Sequence, residues 1–139
     1  MQAEMLELSK YRIEKAKLCL VDSQATFEEG RLATSINRSY YAMFHMTRAL
    51  LALDGFDSKK HSGIIGYFNQ NYIATGKIEL IYNKMLSGAF QVRNQSDYND
   101  FYVVSHEEAK KQLGNATAFI NFMIRYIYNS IEENNSEKQ

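Results

Sequence analysis

Proline and tryptophan are absent from this 139-residue chain, cysteine occurs once, and glycine only seven times. Missing proline and sparse glycine remove the two strongest interruptions to a helix, so long helices are expected. The single cysteine, Cys19, excludes an internal disulfide framework and a cysteine-based zinc site. Set within Leu18-Cys19-Leu20-Val21, it reads as a small buried hydrophobe. Long hydrophobic runs are missing too: the longest aliphatic stretch, Ala49–Leu53, falls far short of the roughly 20 residues that span a membrane. The start, Met1-Gln2-Ala3-Glu4, has no basic segment leading into an apolar one, so no secretory signal is visible and a cytoplasmic protein is expected.

Neither sign of charge dominates, with 16 Lys+Arg against 16 Asp+Glu. The charge is nevertheless segregated. Residues 31–96 hold 8 basic and 3 acidic side chains, whereas 1–30 hold 4 and 6, and 97–139 hold 4 and 7. A basic middle suits a phosphate-bearing ligand or a solvated helix face, but the excess is too small for coating DNA. With 45% hydrophobic and 23% charged residues the chain is globular rather than disordered. Its length fits one domain over 1–133, followed by a polar tail over 134–139.

Apolar periodicity divides the chain into helices. Leu6, Ile13, Ala16, Leu20 and Phe27 predict a first helix over Glu4–Glu29, ended by Gly30. A second fits Leu32–Leu53 and stops at Asp54-Gly55; a short third fits Ser62–Tyr72 with Ser62 as its cap. A fourth, with Ile78, Ile81, Tyr82, Met85, Ala89 and Val92 facing inward, ends near Tyr98. After an extended Asn99–Val104, Ser105 and Glu108 have capping-box spacing and open the last helix. The predicted fold is all-α: an up-and-down bundle of four long helices and one short one.

Chemistry-bearing patterns are few. No histidine follows a glutamate at the spacing of a di-iron bundle, so no metal site is expected, and no cofactor motif appears. His45, one turn after Tyr41 on an apolar helix, reads as a structural histidine bonded to a neighbour. Lys59-Lys60-His61-Ser62-Gly63 precedes a helix start and suits either an anion contact or a plain solvated loop. Arg93-Asn94-Gln95-Ser96-Asp97-Tyr98 closes the fourth helix, and the spacing of Arg93 and Asp97 allows an ion pair on one face.

Two strings of residues together resemble a known family. Ser35-Ile36-Asn37-Arg38-Ser39-Tyr40-Tyr41-Ala42-Met43-Phe44-His45, with the later Lys60-His61-Ser62-Gly63 and Arg93 to Asp97-Tyr98, resembles small stand-alone HEPN-domain proteins over about Ser35–Ala116. The resemblance implies a helical bundle that dimerises. It also implies a metal-independent endoribonuclease, often a toxin whose antitoxin is a minimal nucleotidyltransferase, cleaving RNA in a cleft at the dimer interface. Arg93 matches the family's active-site arginine. The histidine that should follow it is replaced, since positions 98 to 100 are Tyr98, Asn99 and Asp100, and the next histidine is His106. Arg93, carried over by position, and with it Asp97, Tyr98 and His45 of this chain, are the catalytic candidates. Arg38, Tyr41, Lys60, His61 and Asn94 are the candidates for phosphate or nucleotide binding. Tyrosine performs proton transfer poorly near neutral pH, which leaves open a non-catalytic RNA- or nucleotide-binding module, or a partner-binding subunit of a nucleotidyltransferase. Ten tyrosines and eight phenylalanines also leave open an aromatic interaction surface.

Overall fold

A computed structural model describes residues 2–137. Its helices are α1 (Ala3–Glu28), α2 (Leu32–Ala52), α3 (His61–Phe68), α4 (Leu80–Tyr98) and α5 (His106–Glu137), and no strand occurs among the described residues. Helix α2 is the axis of the bundle and packs against the other four. Accordingly its Ile36, Tyr40, Met43, Met46, Leu50 and Leu51 are fully buried, and the core is built around them. A helix apolar on most of its faces must lie inside the fold.

The hairpin of α1 and α2 is closed by Gly30, which adopts a φ of 77°. Gly30 N–H bonds Phe27 O at 3.0 Å and Arg31 N–H bonds Thr26 O at 2.8 Å. This is the left-handed helix ending that glycine adopts at little cost. The inner face of α1 differs from the predicted stripe. Ile13 and Ala16 are buried as expected, but Leu6, Leu20 and Phe27 are only half-buried, and the rest of the inner face is made by Ser9, Arg12, Cys19, Ser23 and Thr26. Small side chains let two helix backbones approach closely, and the hydroxyls are satisfied in the contact. Ser9 Oγ donates to Ala49 O at 2.7 Å, and Ser23 Oγ lies 2.8 Å from Ser35 O and 2.6 Å from Ser39 Oγ.

Three further boundaries depart from the sequence reading. The third helix begins at His61 with Lys60 in the capping position, so Ser62 is not the cap; Ser58 Oγ instead accepts the Lys60 N–H at 3.2 Å. A Cβ on Gly63 would collide with that Ser58 hydroxyl, which fixes the loop against the helix start. Beyond Phe68 the chain widens into a π-helical turn over Asn69–Ile73. On α4, Ile81 is exposed and Leu86 is fully buried, because the face meeting the core is centred on Leu86 and Ala89. On α5, Ser105 Oγ accepts the Glu108 N–H at 3.0 Å, as the capping spacing predicts. The expected tail continues as helix to Glu137, since nothing in it breaks a helix; its last two residues lie outside the described ones.

Candidate functional site: a guanidinium and aromatic patch

Tertiary packing brings three separate segments together. From α2 come Asn37, Arg38, Tyr40, Tyr41 and Phe44; from the end of α4 come Phe90, Arg93, Asn94, Asp97 and Tyr98; and the first residue of α3 contributes His61. The Cζ of Arg38 lies 5.2 Å from the Tyr41 ring centre and that of Arg93 lies 5.3 Å from it. Arg93 also sits 5.9 Å from the ring of Tyr40 and 5.6 Å from that of Tyr98. Such cation–π contacts hold a guanidinium in place without cancelling its charge. Tyr98 itself is 74% exposed and begins a loop in which Phe101 and Val103 are also solvent-facing.

The expected ion pair is present, but imperfectly aimed. Arg93 Nε lies 2.9 Å from Asp97 Oδ2, with the two side chains 14% and 29% exposed. Yet Arg93 Nε makes no hydrogen bond, so the carboxylate is close but off the N–H line. Its Nη1 donates to Asn94 Oδ1 at 3.1 Å. Asp97 Oδ2 also accepts Asn37 Nδ2 at 3.3 Å, and Asn37 Oδ1 in turn accepts both Nε and Nη2 of Arg38, at 3.0 and 2.6 Å. A hollow of about 330 Å³, lined by Ala33, Thr34, Asn37, Ser96 and Asp97, opens beside this network.

His61 is the histidine that joins the patch. Its ring stacks on Phe44 at 4.2 Å and meets Tyr41 edge-on at 5.8 Å, and its Nδ1 lies 2.7 Å from the Tyr40 hydroxyl. Burial, then the charges of Arg93 and Arg48, lowers its pKa. His45 reaches the patch through the Tyr41 ring, at 5.8 Å. Contrary to the expected bond to a neighbour, its Nδ1 is buried without a partner. Burial and the nearby Lys15, Arg48, Arg38 and Arg12 push its pKa down to about 4. Lys60 is exposed beside His61, whereas His106 packs on Phe27, at 4.8 Å. Cys19 is buried as expected, with Sγ 3.7 Å from Arg38 Nη1, and burial raises its pKa.

A second arginine cluster lies farther along α2. Asp57 Oδ2 is 3.1 Å from Nη2 of both Arg12 and Arg48, while Arg12 Nη1 donates to Arg48 O at 3.2 Å. Partial burial opposes it, but the Ser58 N–H and these two guanidiniums hold the Asp57 carboxyl below its ordinary range. Among the described residues no three His, Cys, Asp or Glu side chains gather as a metal site would require.

The HEPN-domain family model matches residues 9–127. The chain belongs to the HEPN-domain family. A UPF0332 protein of Thermotoga maritima is 30% identical over 124 residues, covering 89% of this chain and 94% of the relative. Two proteins of Methanocaldococcus jannaschii named "Putative toxin MJ0142" and "Putative toxin MJ0605" are 30% and 32% identical over 121 and 108 residues, covering 87% and 78% of this chain and 82% and 80% of theirs. Both motif strings of this HEPN domain, Ser35–His45 and Arg93–Tyr98, converge on the patch. Tyr40 and Asn37 were legible only as parts of the first string. No spacing in the sequence indicates that Tyr40 bonds His61 or that Asn37 bridges Arg38 to Asp97.

No helix among the described residues is long and apolar enough to cross a membrane.

Proposed function

We propose that this HEPN-domain protein is a toxin-type endoribonuclease that works without metal, and that RNA is held at the patch formed by Arg38, Tyr41 and Arg93. One observation carries the reading: two guanidiniums share one tyrosine ring, and Asp97, the carboxylate paired with Arg93, leaves its Nε–H without a hydrogen bond. A phosphate accepts such planar donors well, and exposed aromatics such as Tyr98 give an unpaired base a stacking surface. In metal-free cleavage the 2′-oxygen attacks phosphorus as the P–O5′ bond breaks, and Arg93 stabilises the charge that builds on the phosphate oxygens. Asp97 and Asn94 orient Arg93, Tyr98 donates a hydrogen bond, and Lys60 supplies a second, more distant phosphate contact. His45 is given no proton-transfer role in this reading, because burial pushes its pKa down to about 4, which makes it a weak base near pH 7. Two copies facing each other across the patch form the cleft, and a minimal nucleotidyltransferase is the antitoxin. The toxin names of the two archaeal relatives support this reading.

The test is cleavage of labelled single-stranded RNA in the presence of EDTA, together with growth arrest on expression. EDTA-resistant cleavage that falls about 10²-fold or more in Arg93→Ala supports it. Absent cleavage, with toxicity unchanged in Arg93→Ala, refutes it.

A second reading, RNA binding without turnover, is favoured by one feature: Tyr98, Asn99 and Asp100 stand where the family's histidine belongs. It predicts salt-sensitive binding that weakens in Arg93→Ala, with no product formed.

A further inference from the structure

The neighbours of His61 decide where its proton sits. Tyr40 is fully buried, and among the described residues the one partner of its hydroxyl is His61 Nδ1, at 2.7 Å. Burial, reinforced by Tyr41, raises the Tyr40 pKa far above the ordinary range, so the hydroxyl keeps its proton at neutral pH. A buried O–H with nothing to donate to carries a desolvation penalty, so this one donates to Nδ1. An imidazole that accepts at Nδ1 carries its own proton on Nε2. Nε2 has no protein partner among the described residues and is not one of the buried orphaned atoms, so it is open to a ligand. The ring cannot easily turn, being stacked on Phe44 at 4.2 Å and flanked by Phe90 at 6.1 Å.

We propose that His61 serves the patch as a fixed hydrogen-bond donor, giving its Nε2–H to a phosphate oxygen that Arg93 also holds, and that Tyr40 is the positioning residue that sets this orientation. The inference rests on the RNA reading above and names how that site recognises phosphate. It differs from the usual work of a histidine in metal-free RNA cleavage. With Nε2 already protonated, the imidazole has no lone pair facing the ligand and accepts no proton from the 2′-hydroxyl. That proton passes to hydroxide from solvent as the O2′–P bond forms, and the departing 5′-oxygen takes a proton from water. The groups facing His61 are Tyr40 and Tyr41 from α2 and Arg93 from α4, with Arg48 acting at longer range; none is an anion that would recharge the ring. Cleavage therefore rises with hydroxide and shows no histidine limb between about pH 6 and 8.

Three variants and one spectrum test this. In His61→Gln a side-chain amide can still donate a hydrogen bond but cannot transfer a proton, whereas His61→Ala removes both. The glutamine variant should keep RNA affinity within about threefold, and the alanine variant should lose roughly tenfold or more. In the free protein, nitrogen-detected NMR should show His61 protonated at Nε2 and bare at Nδ1, with mixed tautomers in Tyr40→Phe. A proton found on Nδ1 of the wild type overturns the proposal. So does a glutamine variant that folds, by circular dichroism, yet binds RNA as weakly as the alanine variant. Wild-type protein that binds no RNA overturns the RNA reading itself, and the NMR result, which needs no RNA, tells the two failures apart.

Discussion

Two pairs of arginines, each with one member on the central helix α2, are treated in opposite ways. Arg12 and Arg48 converge on one carboxylate, Asp57, which also caps the Ser58 N–H, and Arg12 donates to the backbone of α2. Their terminal nitrogens tie α1, α2 and the following loop together, although Arg48 Nε, like Arg93 Nε, makes no hydrogen bond. Arg38 and Arg93 instead lean on aromatic rings and amide oxygens, with one carboxylate off-line from Arg93. Aromatic faces and neutral oxygens position a guanidinium without themselves neutralising it, and the charge of Arg93 is offset in part by Asp97 at 2.9 Å. The first pair is built into the fold; the second, on the reading proposed above, is the one that meets an anion.

The largest effect that would break this contrast is on activity. Arg93→Ala should reduce RNA cleavage or RNA-dependent toxicity by about 10²-fold or more while shifting the urea midpoint little. If the same substitution unfolds the protein, the patch is structural after all. Next, Asp57→Asn should destabilise the fold by about 2 kcal/mol in urea unfolding, without selectively weakening RNA contact. That is less than the ~3–5 kcal/mol for a fully buried pair because Asp57 is 51% exposed while Arg12 is only 8% exposed.

Acid should expose the same division. The folded state binds a proton to His45 less readily than the unfolded chain does, so this group's contribution is intact above about pH 6.5 and is lost as pH falls toward about 4. Asp57, with its carboxyl also held low, adds a further loss below the ordinary carboxylate range. Stability measured at pH 7 and pH 4.5 should therefore differ by on the order of 1–2 kcal/mol more in the wild type than in His45→Gln, after allowance for partial exposure. The smallest effect concerns salt. Arg38→Ala should flatten the dependence of log K on log salt for single-stranded RNA by about 0.7, the share of one phosphate contact. Arg48→Ala should leave that slope unchanged.

Much of the bundle is legible in the sequence itself. The absent proline, the glycines at the ends of α1 and α2, the Ser105 cap and the 3.6-residue periodicity each act locally, over a turn or two of chain. On α1 the periodicity finds Ile13 and Ala16 but also points to Leu6, Leu20 and Phe27, whereas close helix contact selects small residues and hydroxyls whose partners lie on α2. Ser62 is not the cap because the helix opens one residue earlier, at His61, with Lys60 in the capping position and its N–H bonded to Ser58 Oγ two residues before it.

Sequence alone determined that this chain forms helices, where most of them end, and that Arg93 and Asp97 share a face, since each depends on residues within a few positions of one another. Only the tertiary structure decided that Arg38 and Arg93 meet on Tyr41, that Asn37 reaches Asp97, and that Tyr40 holds His61. Those contacts join residues tens of positions apart. Which of them form depends on how α2 seats α4 and the start of α3, and that seating is set by the packing of the whole core.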